Sequence, residues 1–202
     1  MMKNNPKSKP HFENTIVLLM GIAGVGKRTI AQAMFKMDNS FRFVPNDSWV
    51  DPILNLLGDE PTIMNTLTSE GWAALEKSSD VIFDTIINVC PKEFNFAITN
   101  ELLEGNIWHQ NFYKKVELMA DKRNAKFIPV RLIADVAVLA KRVVSEDRKN
   151  FFKTRDSNMV KERAISSEVL KSKNKNELTL DTTHLSPLES AEKIFQHLQQ
   201  IH

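Results

Sequence analysis

The chain reads as an α/β protein of three layers built on a parallel sheet, and three features predict it. Ile16-Val17-Leu18-Leu19-Met20 is apolar without alternation, as in a strand covered on both faces. A glycine-rich turn follows at once and opens an apolar-periodic segment that begins at Lys27. Short apolar runs then alternate with helical patterns to the end of the chain, which is the rhythm of α/β folds. With 202 residues and 42% hydrophobic composition there is material for one substantial core. One domain is expected over residues 13–202, behind a polar, basic and flexible tail of residues 1–12.

The first strand covers about Thr15–Met20. The helix after it, about Lys27–Met37, sets Ile30, Ala33, Met34 and Met37 on one side, and Asp38-Asn39-Ser40 ends it. Phe41–Val44 is the second strand, left through the turn Pro45-Asn46-Asp47-Ser48. Trp49–Leu57 makes a short helix or a closed loop, and Pro61–Thr68 adds a helical turn or two.

Two periods compete between Gly71 and Cys90. Val81-Ile82-Phe83-Asp84 has the look of a strand ending in an aspartate. Yet Trp72, Leu75, Ser79, Ile82, Ile86 and Val89 recur at steps of three and four, so the helix is preferred, with Ser69 as its cap. Pro91 stops it, and Phe94–Thr99 is the third strand, ending at Asn100-Glu101. Ile107–Lys122 is helical, with Ile107, Phe112, Val116 and Met119 as its stripe. Phe127–Leu132 is the fourth strand, where Pro129 is better tolerated early than in the middle.

Asp135–Val144 forms the next helix. Residues 145–157, SEDRKNFFKTRDS, are abruptly polar and carry Arg148, Lys149, Lys153 and Arg155. They are either a solvated surface or a lid anchored by Phe151-Phe152. Met159–Leu170 is helical, Glu177–Leu180 is the fifth strand, and Asp181-Thr182-Thr183 turns out of it. In the last helix, to Ile201, Ser186 is the cap, Pro187 takes the first helical position and Glu189 completes a capping box.

Composition narrows the function classes. Cys90 is the single cysteine, which removes disulfide stapling and cysteine-rich zinc sites. The five histidines show no short metal-ligand spacing. A formal charge of +2, with 25 acidic residues among the basic ones, gives no clear nucleic-acid partner. No apolar run approaches the ~20 residues of a membrane span. A cytoplasmic protein with no membrane association is expected, as a monomer or a homodimer.

The chemistry starts at Gly21-Ile22-Ala23-Gly24-Val25-Gly26-Lys27. Glycines at these steps let successive N–H groups and the next helix N-terminus converge on one place, and Lys27 adds a point charge for β and γ phosphates. One position departs from the pattern. Ser or Thr is expected directly after the lysine to hold Mg2+, but Arg28 stands there and Thr29 comes one place later. Ligands of open parallel sheets bind beyond the strand C-termini. The other candidates are therefore Asn46 and Asp47, Asn100 and Glu101, the basic run, and Asp181–Thr183. Asp47 is the candidate for accepting or orienting the acceptor's proton, and with Thr29 for holding metal. Arg142, Arg148, Lys153 or Arg155 could reach phosphates, while Asn46, Trp49 and Asn100 could line the acceptor pocket.

The phosphate loop, the Asn46-Asp47 shelf, the fourth strand followed by Arg142 and a basic run, and the ending Leu180-Asp181-Thr182-Thr183 resemble the small P-loop kinases. These include shikimate, gluconate and nucleoside-monophosphate kinases and the chloramphenicol phosphotransferases. Asn46–Ile53 and Phe96–Asn100 resemble a little-characterised, ATP-binding branch of that group. The resemblance implies a five-stranded parallel sheet in the order 2-3-1-4-5 with a short lid, and ATP with Mg2+ as cofactors. It implies acceptor binding at the shelf after the second strand, phosphate contacts from Arg142 and Arg148, and Asp181, Thr182 and Thr183 beside the adenine. The catalytic set would be Lys27, Asp47 and Arg148.

The expected function is an ATP-dependent phosphotransferase for a small hydroxyl-bearing or phosphate-bearing metabolite. The alternative, favoured by Arg28, is a nucleotide-binding regulatory protein or inactive kinase relative. A GTPase ranks lowest, since no convincing Asn-Lys-x-Asp segment is present.

Overall fold

A computed structural model describes residues 12–58, 63, 66–145 and 154–201. Strands β1 (Thr15–Met20), β2 (Phe41–Pro45), β3 (Asn95–Asn100), β4 (Lys126–Ile133) and β5 (Leu178–Asp181) form one parallel sheet in the order β2-β3-β1-β4-β5. All six residues of the central β1 are buried, which is why its sequence does not alternate. The helices described are α1 (Lys27–Met37), α2 (Asp47–Leu57), α3 (Ser69–Asn88), α4 (Ile107–Arg123), α5 (Val136–Val143), α6 (Ser157–Ser166) and α7 (Pro187–Ile201). α1 packs on α7, and α3 packs on both α2 and α4. The result is the three-layer α/β architecture expected, with the expected strand order.

The local signals that succeeded have visible causes. Residues 81–84 lie inside α3, so the helical period was the correct one. Its buried face is Leu75, Ser79, Phe83 and Ile86, which keeps three residues of the expected stripe and takes Phe83 in place of Ile82, while Val89 is left exposed. Thr68, rather than Ser69, caps it by accepting from the Gly71 N–H at 3.3 Å. The capping box of α7 is present in both directions, Ser186 N–H to Glu189 Oε2 at 2.8 Å and Glu189 N–H to Ser186 Oγ at 3.2 Å. Pro129 sits mid-strand, opposite Leu18 of β1, but β5 pairs with β4 only from Val130 onward. On that side the proline meets no neighbouring strand.

Three features differ from the sequence expectation. Phe12, expected in the tail, is buried, with its ring 5.5 Å from Phe195 in a stack. Asn95 holds this entry in place: its amide donates to the Phe12 carbonyl at 2.7 Å and its oxygen accepts from the Thr15 N–H at 2.8 Å. The helix expected to reach Leu170 ends at Ser166. Val169 instead bridges antiparallel to Leu103, which joins the segment after α6 to the segment after β3. Finally, α2 begins at Asp47, because the Asn46 carbonyl accepts from the N–H groups of Trp49 and Val50.

Candidate active site

Beyond the C-terminal ends of β1 and β3 the chain leaves a cleft of about 1410 Å³. One wall is the phosphate loop. Gly24 (φ 89°) and Gly26 (φ 102°) are left-handed, and a Cβ on Gly24 would stand 2.7 Å from the Leu139 carbonyl oxygen of α5. The tight turn therefore requires glycine there. The side chains of Ile22 and Val25 anchor the loop in the core. α1 starts on Gly26 with no side-chain cap, so its first N–H groups face the cleft side of the loop. The Lys27 ammonium donates to the carbonyls of Gly21 and, at 3.3 Å, Ile22, which holds it at the mouth of the loop.

The wall opposite α1 is the start of α2. There Arg28 reaches across from the first turn of α1, and its Nη1 meets Asp47 Oδ2 at 2.5 Å. Its guanidinium also lies 5.6 Å from the centre of the Phe43 ring. The Thr29 hydroxyl turns back and donates to the Gly26 carbonyl at 2.9 Å. Of the expected metal pair, the Thr29 hydroxyl is thus bonded to a backbone carbonyl and one Asp47 oxygen to a guanidinium. Among the described residues no three acidic, histidine or cysteine side chains gather as a cation site. A cradle of N–H groups and Lys27 fits a polyphosphate, but these donors do not fit a divalent ion held by protein side chains.

The third wall joins the strand-end candidates Asn100 and Glu101 to Arg163 and His109, to which the sequence assigned no role. Glu101, at the exit of β3, accepts from the Ala23 N–H of the phosphate loop at 3.0 Å and from Arg163 Nη1 of α6 at 2.7 Å. It links the loop to the α6 wall of the cleft. Asn100 supports it by accepting from the Glu101 N–H at 2.8 Å. His109 lines the same wall, with its Nδ1 accepting from the Leu103 N–H at 2.9 Å. Glu101 was visible as a strand-end carboxylate. Arg163 and His109 carried no signal, because helix-borne polar residues acquire meaning only once two helices meet.

Two expected outcomes arise here. Glu101→Gln keeps the shape but removes a negative charge beside the phosphate loop. ADP should then bind several-fold more tightly at low salt, with the gain shrinking as salt screens it, as read by titration calorimetry. His109 is pulled below the ordinary histidine value by burial, with Glu101 opposing in part. The folded state thus takes up this proton less readily than the unfolded chain. Its contribution to stability is full above about pH 6.5 and is lost as pH falls below that toward the folded value. Thermal melts should show that decline, and His109→Gln should flatten it.

Arg142, expected at phosphates, binds the last loop. Its Nη2 donates to the Thr182 carbonyl at 2.9 Å and its Nη1 to the Thr182 hydroxyl at 3.3 Å. The buried Thr182 hydroxyl in turn lies 3.0 Å from the Val25 carbonyl of the phosphate loop. Thr183 accepts from the Asp135 N–H, and its hydrogen bonds to Asp181 hold that carboxyl below the usual range. Thr182 lines the cleft, as do Asn46, Asp47 and Asn100. Trp49 does not: it is buried between Phe83 and Phe112, which makes it a core residue joining α2, α3 and α4. Arg148 and most of the expected lid, residues 146–153, lie outside the described residues. Arg155, near its end, lines the cleft.

Together these features define the class: a phosphate loop with its lysine, opening on a wide cleft at the strand ends, on the fold of the P-loop kinases. Solved structures agree on that fold. A gluconokinase from Sinorhizobium meliloti 1021 superposes with a TM-score of 0.58 at 14% identity, covering 93% of each chain. The APS kinase CysC from Mycobacterium tuberculosis, in complex with AMPPNP and APS, gives 0.55 at 16% identity over 93% of this chain and 98% of that one. A kinase candidate from Chloroflexus aurantiacus j-10-fl gives 0.65 at 16% identity over 92% and 98%. No family model and no curated protein matches the sequence. Among the described residues no helix is long and apolar enough to cross a membrane.

Proposed function

We propose that this protein is an ATP-dependent phosphotransferase acting on a small metabolite that bears a hydroxyl or phosphate group. The observation that carries the reading is the shared cleft. The Lys27 loop and the polar shelf of Asn46, Asp47, Asn100 and Glu101 face one space large enough for a nucleotide and a second small molecule. Neighbours in fold whose names specify gluconate and APS support the small-molecule class.

In this reading the loop N–H groups and Lys27 hold the β and γ phosphates and offset the charge on the migrating group. Asp47 faces the acceptor and orients or accepts its hydroxyl proton. Thr182 and Thr183 border the nucleotide, while Arg142 keeps their loop in place. Mg2+, where it accompanied ATP, would supply further charge neutralisation of the migrating group. An ATP-to-ADP conversion assay against a panel of hydroxylated and phosphorylated metabolites tests the proposal. Acceptor-dependent ADP release is the expected result; folded, nucleotide-bound protein that transfers to none of them contradicts it.

The Arg28–Asp47 contact favours a second reading, a nucleotide-binding regulatory protein with little transfer, because the shelf carboxylate is already engaged. Tight ATP binding without turnover on any acceptor would select it.

A further inference from the structure

We infer that Arg28 is the resident cation of the phosphate site, so that nucleotide binding does not depend on a divalent ion. The inference rests on the nucleotide reading of the Lys27 loop and extends it.

Residue 28 is the second of α1, and its backbone is set by the turn, with the Ile30 N–H bonded to the Gly26 carbonyl at 2.9 Å. From that position a serine or threonine hydroxyl would lie against the phosphate seat and ligate a metal. Arginine carries a fixed charge instead. Its side chain is 31% exposed and lines the cleft, while its partner Asp47 is 12% exposed. Two anchors on the opposite wall, Asp47 at 2.5 Å and the Phe43 ring at 5.6 Å, fix where that charge sits. What this pair fixes is the position of the guanidinium. A guanidinium has five N–H donors in a planar fork, a geometry matched to phosphate oxygens as well as to carboxylates.

Of the two residues expected to hold a metal, the Thr29 hydroxyl donates to the Gly26 carbonyl and Asp47 Oδ2 accepts from Arg28 itself, and position 28 carries no hydroxyl. Through this bond Asp47 also positions the Arg28 guanidinium. Charge that other loops borrow from a bound ion is covalently part of this one.

Calorimetric titration of the full chain with ADP and with ATP, in Mg2+ and in EDTA, tests this. Wild-type affinity should differ by less than about threefold between the two conditions. Arg28→Ser, which restores the hydroxyl and removes the charge, should weaken binding in EDTA by about tenfold or more and recover most of it with Mg2+. That size corresponds to losing one charge a few ångströms from phosphate in partly screened surroundings. Arg28→Lys should stay indifferent to Mg2+, and it keeps the test decisive if the serine variant fails to fold. Wild-type affinity that falls tenfold on chelation, or an Arg28→Lys variant that becomes Mg2+-dependent, overturns the inference while leaving the nucleotide reading intact. No binding of either nucleotide in either condition overturns both.

Discussion

Replacing Lys27 with Ala is expected to weaken ATP and ADP binding by roughly a hundred-fold. The ammonium is poised at the loop mouth by the carbonyls of Gly21 and Ile22, so binding has only to exchange carbonyl contacts for phosphate ones. A unit charge about 4 Å from a phosphate oxygen, at an effective dielectric near 20, contributes about 4 kcal/mol. Part of that is returned by the lost carbonyl contacts, which leaves roughly 3 kcal/mol, or about a hundred-fold. The side chain is half-buried and its removal opens no core cavity, so the melting temperature should stay within a few degrees. Calorimetric titration beside a thermal melt reads both. Unchanged affinity in a folded variant would mean that the loop does not seat phosphates.

Arg123→Ala is expected to be the most destabilising single change outside the loop. Arg123 closes α4, and its side chain is fully buried. Its guanidinium donates to the carbonyls of Ile86, Cys90 and Pro91, the unsatisfied end of α3, and lies 5.1 Å from the Phe96 ring. Burial pulls its pKa down, with Cys90 and Glu93 opposing. Truncation would leave several buried carbonyls without a donor, a helix C-terminus without its cation and a void under β3. Together these cost roughly 3–5 kcal/mol. For a chain of this size that lowers the melting temperature by about 8–15 °C. A loss under about 1 kcal/mol by urea denaturation would show that the α3 terminus finds other donors. Arg123 lies just past the helix end expected at Lys122, and its three partners lie more than thirty positions away.

The helix over residues 69–88 shows how far local pattern can go. The sequence of Val81–Asp84 permits a strand, and only the longer recurrence from Trp72 to Ile86 argues otherwise, because burial repeats every three or four residues along a helix face. The same pattern could not say that Phe83 would be the residue turned inward, since Phe83 is drawn in by Trp49 and Phe112 from two other helices. Trp49 is the converse case. Its place after a strand end allowed either a pocket wall or a residue closing the core edge, and the first turn of α2 aims it into the core.

What the sequence determined by itself is the phosphate loop, the parallel sheet around β1 and most element types, because glycine spacing, uninterrupted apolar runs and helical periods are local properties. It also marked Arg28 as the departure from pattern. Only the tertiary structure decided what that departure means: Asp47 lies nineteen positions away and belongs to another helix. Pairing across such a distance depends on the backbone paths of β2 and α2 and not on any local preference. The same holds for Glu101, whose bonds to Ala23 and Arg163 span 78 and 62 positions. Charges that meet across a cleft are placed by the sheet order, and that order is settled by packing of the whole chain.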